Sequence, residues 1–125
     1  MASKRDQTAI DVTWEDQRNI CTFGRIHARY TALTEMIARK KTDVENLDDA
    51  CDEVLIADDV KIVFGESFAH VDADAAGTAL EAKKEAAEAE LKALIEEKEA
   101  LDTAAKKLKA ELYAKFGSQI YLENE

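Results

Sequence analysis

The sequence predicts a mainly α protein, an antiparallel two-helix coiled coil whose helices are joined by one β-hairpin. Three observations carry that expectation. Two long runs hold apolar residues at heptad spacing. The absence of proline and the presence of only four glycines leave little to interrupt them. Between the runs, Val60 to Val71 switches to the period of a strand, with Val60, Ile62 and Phe64 alternating with Lys61 and Val63 and a second short run from Ser67 to Val71.

Composition narrows the class further. With 35% charged and 6% aromatic residues in 125, the chain is at most one ordinary domain and reads as a long helix or coiled coil, not a packed globular enzyme. The formal net charge of −10 speaks against nucleic acid or an anionic membrane as partner, since either calls for a basic face. Arg39, Lys40 and Lys41 form the densest basic patch of the first helix, which reads as a solvated face. No signal peptide and no membrane-length apolar run is present, so a soluble, cytoplasmic protein is expected. Cys21 and Cys51 would lie about 45 Å apart on one helix, too far to pair, and read as reduced thiols.

Taken in order, residues 1–12 are polar, unpatterned and expected to be disordered. The predicted domain spans 13–116, with helices over 13–57 and 72–116 around a hairpin over 60–71. Thr13 with Asp16 three positions on has the pattern of a capping box, and Glu15 and Asp16 suit the positive end of a helix dipole. One core position of the first helix carries Phe23, Tyr30, Ile37, Val44 and Cys51; the other carries Ile26, Leu33, Lys40, Leu47 and Val54. Only Lys40 departs from an apolar or amphipathic seam.

Phe64-Gly65-Glu66-Ser67 has the form of a tight hairpin turn, in which Gly65 supplies the positive φ of a type II′ connection. A two-stranded hairpin is marginal alone, so this sheet implies partners. The second helix can start at Asp72, at Asp74 or at the Thr78-Ala79-Leu80-Glu81 box, with Gly77 blurring the choice. Its seam carries Ala87, Leu94, Leu101 and Leu108 at one position and Leu91, Lys98, Ala105 and Leu112 at the other. Glu88 with Lys92 and Asp102 with Lys106 have the favourable i, i+4 order. Lys106, Lys107, Lys109 and Lys115 gather towards the negative end, Gly117 suits the C′ position, and 117–125 form a tail. Both predicted helices have 45 residues, about 68 Å each, so folding back at the hairpin would bring Thr13 beside Phe116.

Outward from Phe23 and Leu112 the core positions turn polar, to Asn19 and Asp16 on one side and Lys115 and Gln119 on the other, while apolar residues continue off the seam. Ile10, Val12, Trp14, Ile20, Tyr113, Phe116, Ile120, Tyr121 and Leu122 either close the coil as a terminal cluster or present an apolar patch that holds non-native chains. Candidate chemistry is weak by comparison. Asp48, Asp49 and Asp52 match an aspartate-rich Mg²⁺-pyrophosphate pattern, but no second acidic motif faces them, and a solvated face is expected. His27 and His70 lack ligand or nucleophile partners at a recognisable spacing, and no Gly-rich phosphate loop occurs. No catalytic residue, metal ligand or cofactor is expected.

Three blocks resemble the prefoldin family, and within it the subunit 4 type of the β class: Val12 to Gln17, Asn46 to Glu53 running on to Ala57-Asp58-Asp59, and Leu112 to Glu123. The likeness covers nearly the whole chain from Val12, although only Val60 to Phe64 separates Asp59 from Gly65, a shorter stretch than relatives usually have. The resemblance implies a subunit of the heterohexameric prefoldin co-chaperone, in which hairpins from α and β subunits assemble a double β-barrel. It also implies that coiled-coil tips hold unfolded actin, tubulin and other chains without ATP and pass them to the cytosolic group II chaperonin. On this reading Val60, Ile62, Phe64, Gly65, Phe68 and Val71 serve assembly, and Ile20, Phe23, Leu112, Tyr113, Phe116, Ile120 and Leu122 bind clients. The competing class is a structural coiled-coil adaptor with no client-holding activity.

Overall fold

In the computed structural model the described residues are 11–56, 60–64 and 67–122, the strand residues by their backbone alone. Helix α1 spans Trp14–Ile56, strand β1 Val60–Phe64, strand β2 Ser67–Val71 and helix α2 Ala73–Phe116, followed by a 3₁₀ turn at Gly117–Gln119. The expected disorder of 1–10, the final residue of the first predicted helix at Ala57, and the turn residues Gly65 and Glu66 lie outside the described residues. So do the last three residues of the predicted tail.

The start of α1 follows from local chemistry. The Thr13 hydroxyl accepts the Asp16 N–H at 3.1 Å, and the Asp16 carboxylate accepts the Thr13 N–H at 3.0 Å, a reciprocal box that satisfies two donors a helix start leaves open. The start of α2 is settled at Asp72, whose carbonyl accepts the Ala76 N–H at 2.9 Å. Thr78 does not cap: its hydroxyl bonds back to the Asp74 carbonyl at 3.0 Å, four residues earlier. Gly77 therefore lies inside the helix, where a Cβ would meet Val54 Cγ1 at an ordinary 3.8 Å. At the other end Gly117 takes φ +59°, the left-handed turn that stops α2 and that glycine adopts without a Cβ clash.

The chain divides into two compact units, and each helix contributes a segment to both. In the terminal unit, residues 1–34 and 97–125, Asp16 meets Lys115 and Arg29 meets Glu97. Steps forward on α1 match steps back on α2, so the segments run antiparallel. Phe23, Leu33, Leu112 and Phe116 are its buried apolar residues among the described ones, with Leu33 and Leu112 fully enclosed.

In the hairpin unit, residues 35–96, Lys40 meets Glu90 at 2.7 Å and Asp48 meets Lys84 at 2.6 Å, again an antiparallel pairing. Among its described side chains Ile37, Ala76 and Ala87 are buried, while the seam residues Val44, Leu47, Cys51 and Val54 are only half-buried. Strands β1 and β2 pair antiparallel in the register Val60↔Val71, Ile62↔Ala69 and Phe64↔Ser67, which leaves two residues for the connection. Phe68 pairs with Val63, not with a member of the alternating set Val60, Ile62 and Phe64.

Both seam lysines are accommodated by partners. Lys40 reaches Glu90, and the Lys98 ammonium sits 5.0 Å from the centre of the Tyr30 ring. Among the described residues no helix is long and apolar enough to cross a membrane.

Candidate functional site

The sequence leaves the terminal unit either a closed apolar cluster or an open binding patch, and its geometry shows which side chains are buried. Asp16 is only 7% exposed and lies one heptad before Phe23, so the seam continues as a polar layer instead of stopping. The Lys115 ammonium donates to Asp16 Oδ2, the same oxygen that accepts the Thr13 N–H. The hydrogen bond from Lys115, aided by those from Thr13, holds the Asp16 carboxyl below its ordinary 3.8 against the opposing effect of burial. One carboxylate thus caps α1 and ties it to α2.

Beyond that layer the seam shifts by one residue, and Phe116 rather than Lys115 enters the core. Phe23, Leu112 and Phe116 are 2%, 2% and 6% exposed. These three therefore face inward and close the unit. Ile20, Tyr113, Ile120 and Leu122 are half-buried around them. The open apolar area comes instead from Val12, Trp14 and Tyr121, at 52%, 72% and 74% exposure. Val12 and Trp14 precede Asp16 and Tyr121 follows Lys115, so the pair joining those two residues brings all three to one end of the unit.

Cations attend the aromatic rings of this unit. Arg18 lies over Trp14 at 5.6 Å and Lys109 over Tyr113 at 5.9 Å. Phe23 and His27 stack with 6.3 Å between ring centres and 10° between planes. A groove of about 230 Å³ opens beside them, with Phe23, Tyr30 and Ala105 as its apolar lining and Lys106 and Lys109 among its polar residues. His27 is thus part of an aromatic stack on the groove wall. Asp102 accepts from Lys106 at 3.0 Å, as their spacing predicts.

The hairpin unit carries the other set of expected site residues. Val60, Ile62, Phe64, Phe68 and Val71 all fall in the two paired strands, while Gly65 lies outside the described residues. In the aspartate-rich block, Asp48 is bound by Lys84, and no group of three or more acidic, His or Cys side chains among the described residues is arranged to hold a metal ion. Both cysteines are free thiols. Leu55 and Ile56, 83% and 86% exposed at the end of α1, were missed from the sequence. The signal was present, because both lie just past Val54 and off either seam position.

Comparison with known proteins matches these features to a family. Residues 17–119 match the family described as prefoldin subunit. The chain is 38% identical to prefoldin subunit 4 of Homo sapiens, over 91% of this chain and 88% of that protein. It is 36% identical to probable prefoldin subunit 4 of Caenorhabditis briggsae, covering 94% and 98% of the two chains, and 30% identical to prefoldin subunit 4 of Saccharomyces cerevisiae, covering 90% and 89%. Among solved structures, the prefoldin beta subunit from Thermococcus strain KS-1 is similar with a TM-score of 0.75 at 17% identity, over 86% of this chain and 96% of that one. That likeness speaks for the fold alone. With two antiparallel helix pairs, a strand pair between the helices in sequence, and a family match across most of its length, the chain belongs to the prefoldin subunit family, a family of co-chaperone subunits and not enzymes.

Proposed function

We propose that the chain is a β-type subunit of heterohexameric prefoldin, with residues 13–116 as its working domain and 117–125 as a tail beside the terminal unit. Membership of the family implies other prefoldin subunits as partners. The finer reading is that β1 and β2 join hairpins of neighbouring α and β subunits in a closed barrel. The observation that carries it is the two-stranded sheet itself, since each strand has one edge without a strand partner among the described residues. Apolar area buried there would contribute about 25 cal/mol per Å². Val60, Ile62, Phe64, Phe68 and Val71 are the residues assigned to that contact, with Gly65 at the connection.

The terminal unit is the client-holding end in this proposal. Unfolded polypeptides of the actin and tubulin type bind there in the cytoplasm without ATP and pass to the group II chaperonin. Val12, Trp14 and Tyr121 make first contact, Ile20, Tyr113, Ile120 and Leu122 flank them, and Phe23, Leu112 and Phe116 hold the surface in place. The wide exposure of the first three supports this division.

The test is native mass spectrometry of the tagged chain recovered from its own cells, followed by aggregation assays on the recovered species. A complex of six different small subunits is the expected result. A homodimer would favour a coiled-coil adaptor and overturn the subunit reading. Phe68→Asp should lose assembly while keeping its helicity, and Trp14→Ser with Tyr121→Ser should keep assembly while losing suppression of client aggregation.

A further inference from the structure

Charge is divided unequally between the two units. Residues 35–96 hold 17 acidic and seven basic side chains, the full net charge of −10, while the rest of the chain holds ten of each. Within the acidic unit a groove of about 660 Å³ lies between the last turns of α1 and the first turns of α2. Asp48, Asp52, Asp74 and Glu81 line it with Cys51 and the exposed Leu55; the one ammonium among its lining residues, that of Lys84, donates to Asp48 at 2.6 Å.

Folding by itself gives no reason for this surface. The carboxyl end of a helix favours cations, yet the last turn of α1 contains Glu53 and no basic residue, with Asp52 just before it. The same turn exposes Leu55 and Ile56 to water. Surplus like charge opposes compaction of the unit. Local choices that conflict with stability mark places where a sequence answers to something other than its own fold. A ligand that relieves the charge and covers the leucine must be cationic and apolar together.

We propose that this groove docks a Lys/Arg-rich segment of a neighbouring prefoldin subunit, its basic side chains against Asp52, Asp74 and Glu81 and an apolar side chain against Leu55. Charge complementarity selects a basic segment. The neighbouring subunit is its source because the groove belongs to the same compact unit as β1 and β2, so a subunit engaged by the strands has its chain held close at high effective concentration. The inference rests on the subunit reading above and adds the residues and the chemistry of a second contact.

The experiment reconstitutes the full chain with the other five subunits of its organism and follows hexamer formation at low and high salt. It compares the unmodified chain with Asp52→Asn/Asp74→Asn/Glu81→Gln and with Leu55→Ser. The unmodified chain should assemble about tenfold more tightly at low salt than at high salt. The neutralised variant should be weakened about tenfold at low salt, lose most of the salt response, and melt at a higher temperature when alone because its self-repulsion is reduced. Leu55→Ser should weaken assembly at both salt concentrations. Assembly of the neutralised variant with unchanged affinity and salt response overturns the inference. Loss of client holding with assembly intact would assign the groove to a basic client segment and overturn the subunit as its occupant. Failure of the unmodified chain to join any hexamer would instead overturn the subunit reading on which the groove proposal stands.

Discussion

The terminal unit and the hairpin unit are built from the same two helices, but they are stabilised differently. The terminal unit buries large side chains, Phe23, Leu33, Leu112 and Phe116, and balances its charges. Among the described side chains the hairpin unit buries Ile37 and two alanines, and its sequence carries the whole net charge. Burial of apolar area scales with side-chain size, so among the described helix positions the larger buried side chains of the first unit contribute more per residue. The acidic unit that contains the two-stranded sheet fits the proposed assembly role, and the closed aromatic cluster with an exposed rim fits the proposed client-holding role.

The largest test of that contrast is a cavity. Leu112→Ala should destabilise the chain by about 2–5 kcal/mol in chemical denaturation, because the leucine is fully enclosed. Leu47→Ala, at a half-buried position of the hairpin unit, should cost visibly less. Equal losses would remove the distinction in packing.

Acid should separate the units next. The Asp16 and Glu97 carboxyls are held below their ordinary values of 3.8 and 4.5, chiefly by hydrogen bonds from Lys115 and Arg29 respectively. Stabilisation by carboxyls lowered on folding is fully present above their unfolded values and is lost as pH falls through those values towards the lower folded ones. Hydrogen exchange should therefore report loosening of residues 11–34 and 97–122 below about pH 4. In residues 35–96 the same protonation reduces self-repulsion, so protection there should decline less. Lys115→Met should move the acid transition of the terminal unit to higher pH.

Two smaller changes probe the helix starts and the contact behind them. Thr13→Ala removes the hydroxyl that accepts the Asp16 N–H and should cost about 1 kcal/mol. Gly77→Ala should stabilise the hairpin unit by somewhat under 1 kcal/mol, since a Cβ there meets only Val54 at 3.8 Å. Destabilisation by Gly77→Ala would mean that the close approach at Val54 tolerates no added methyl.

Much of this architecture was legible in the residues. The Thr13–Asp16 spacing encodes a reciprocal cap whatever the rest of the chain does, and the ten seam positions from Phe23 to Val54 are all buried or half-buried. The terminal site was harder to read. Heptad counting put Lys115 at the core position and left Phe116 off it, and from that alone Phe116 could close the coil or face water.

Period, caps and strand alternation are local properties, so the sequence by itself determined two long helices, the strand pair between them and where the first helix begins. Which apolar residues stay open depends on how two helices meet. That pairing drew Phe116 inward, gave the buried Asp16 its ammonium partner on a helix 99 residues away, and left Trp14 and Tyr121 exposed. Only the tertiary structure could decide this, because burial of a side chain is set by neighbours distant in sequence.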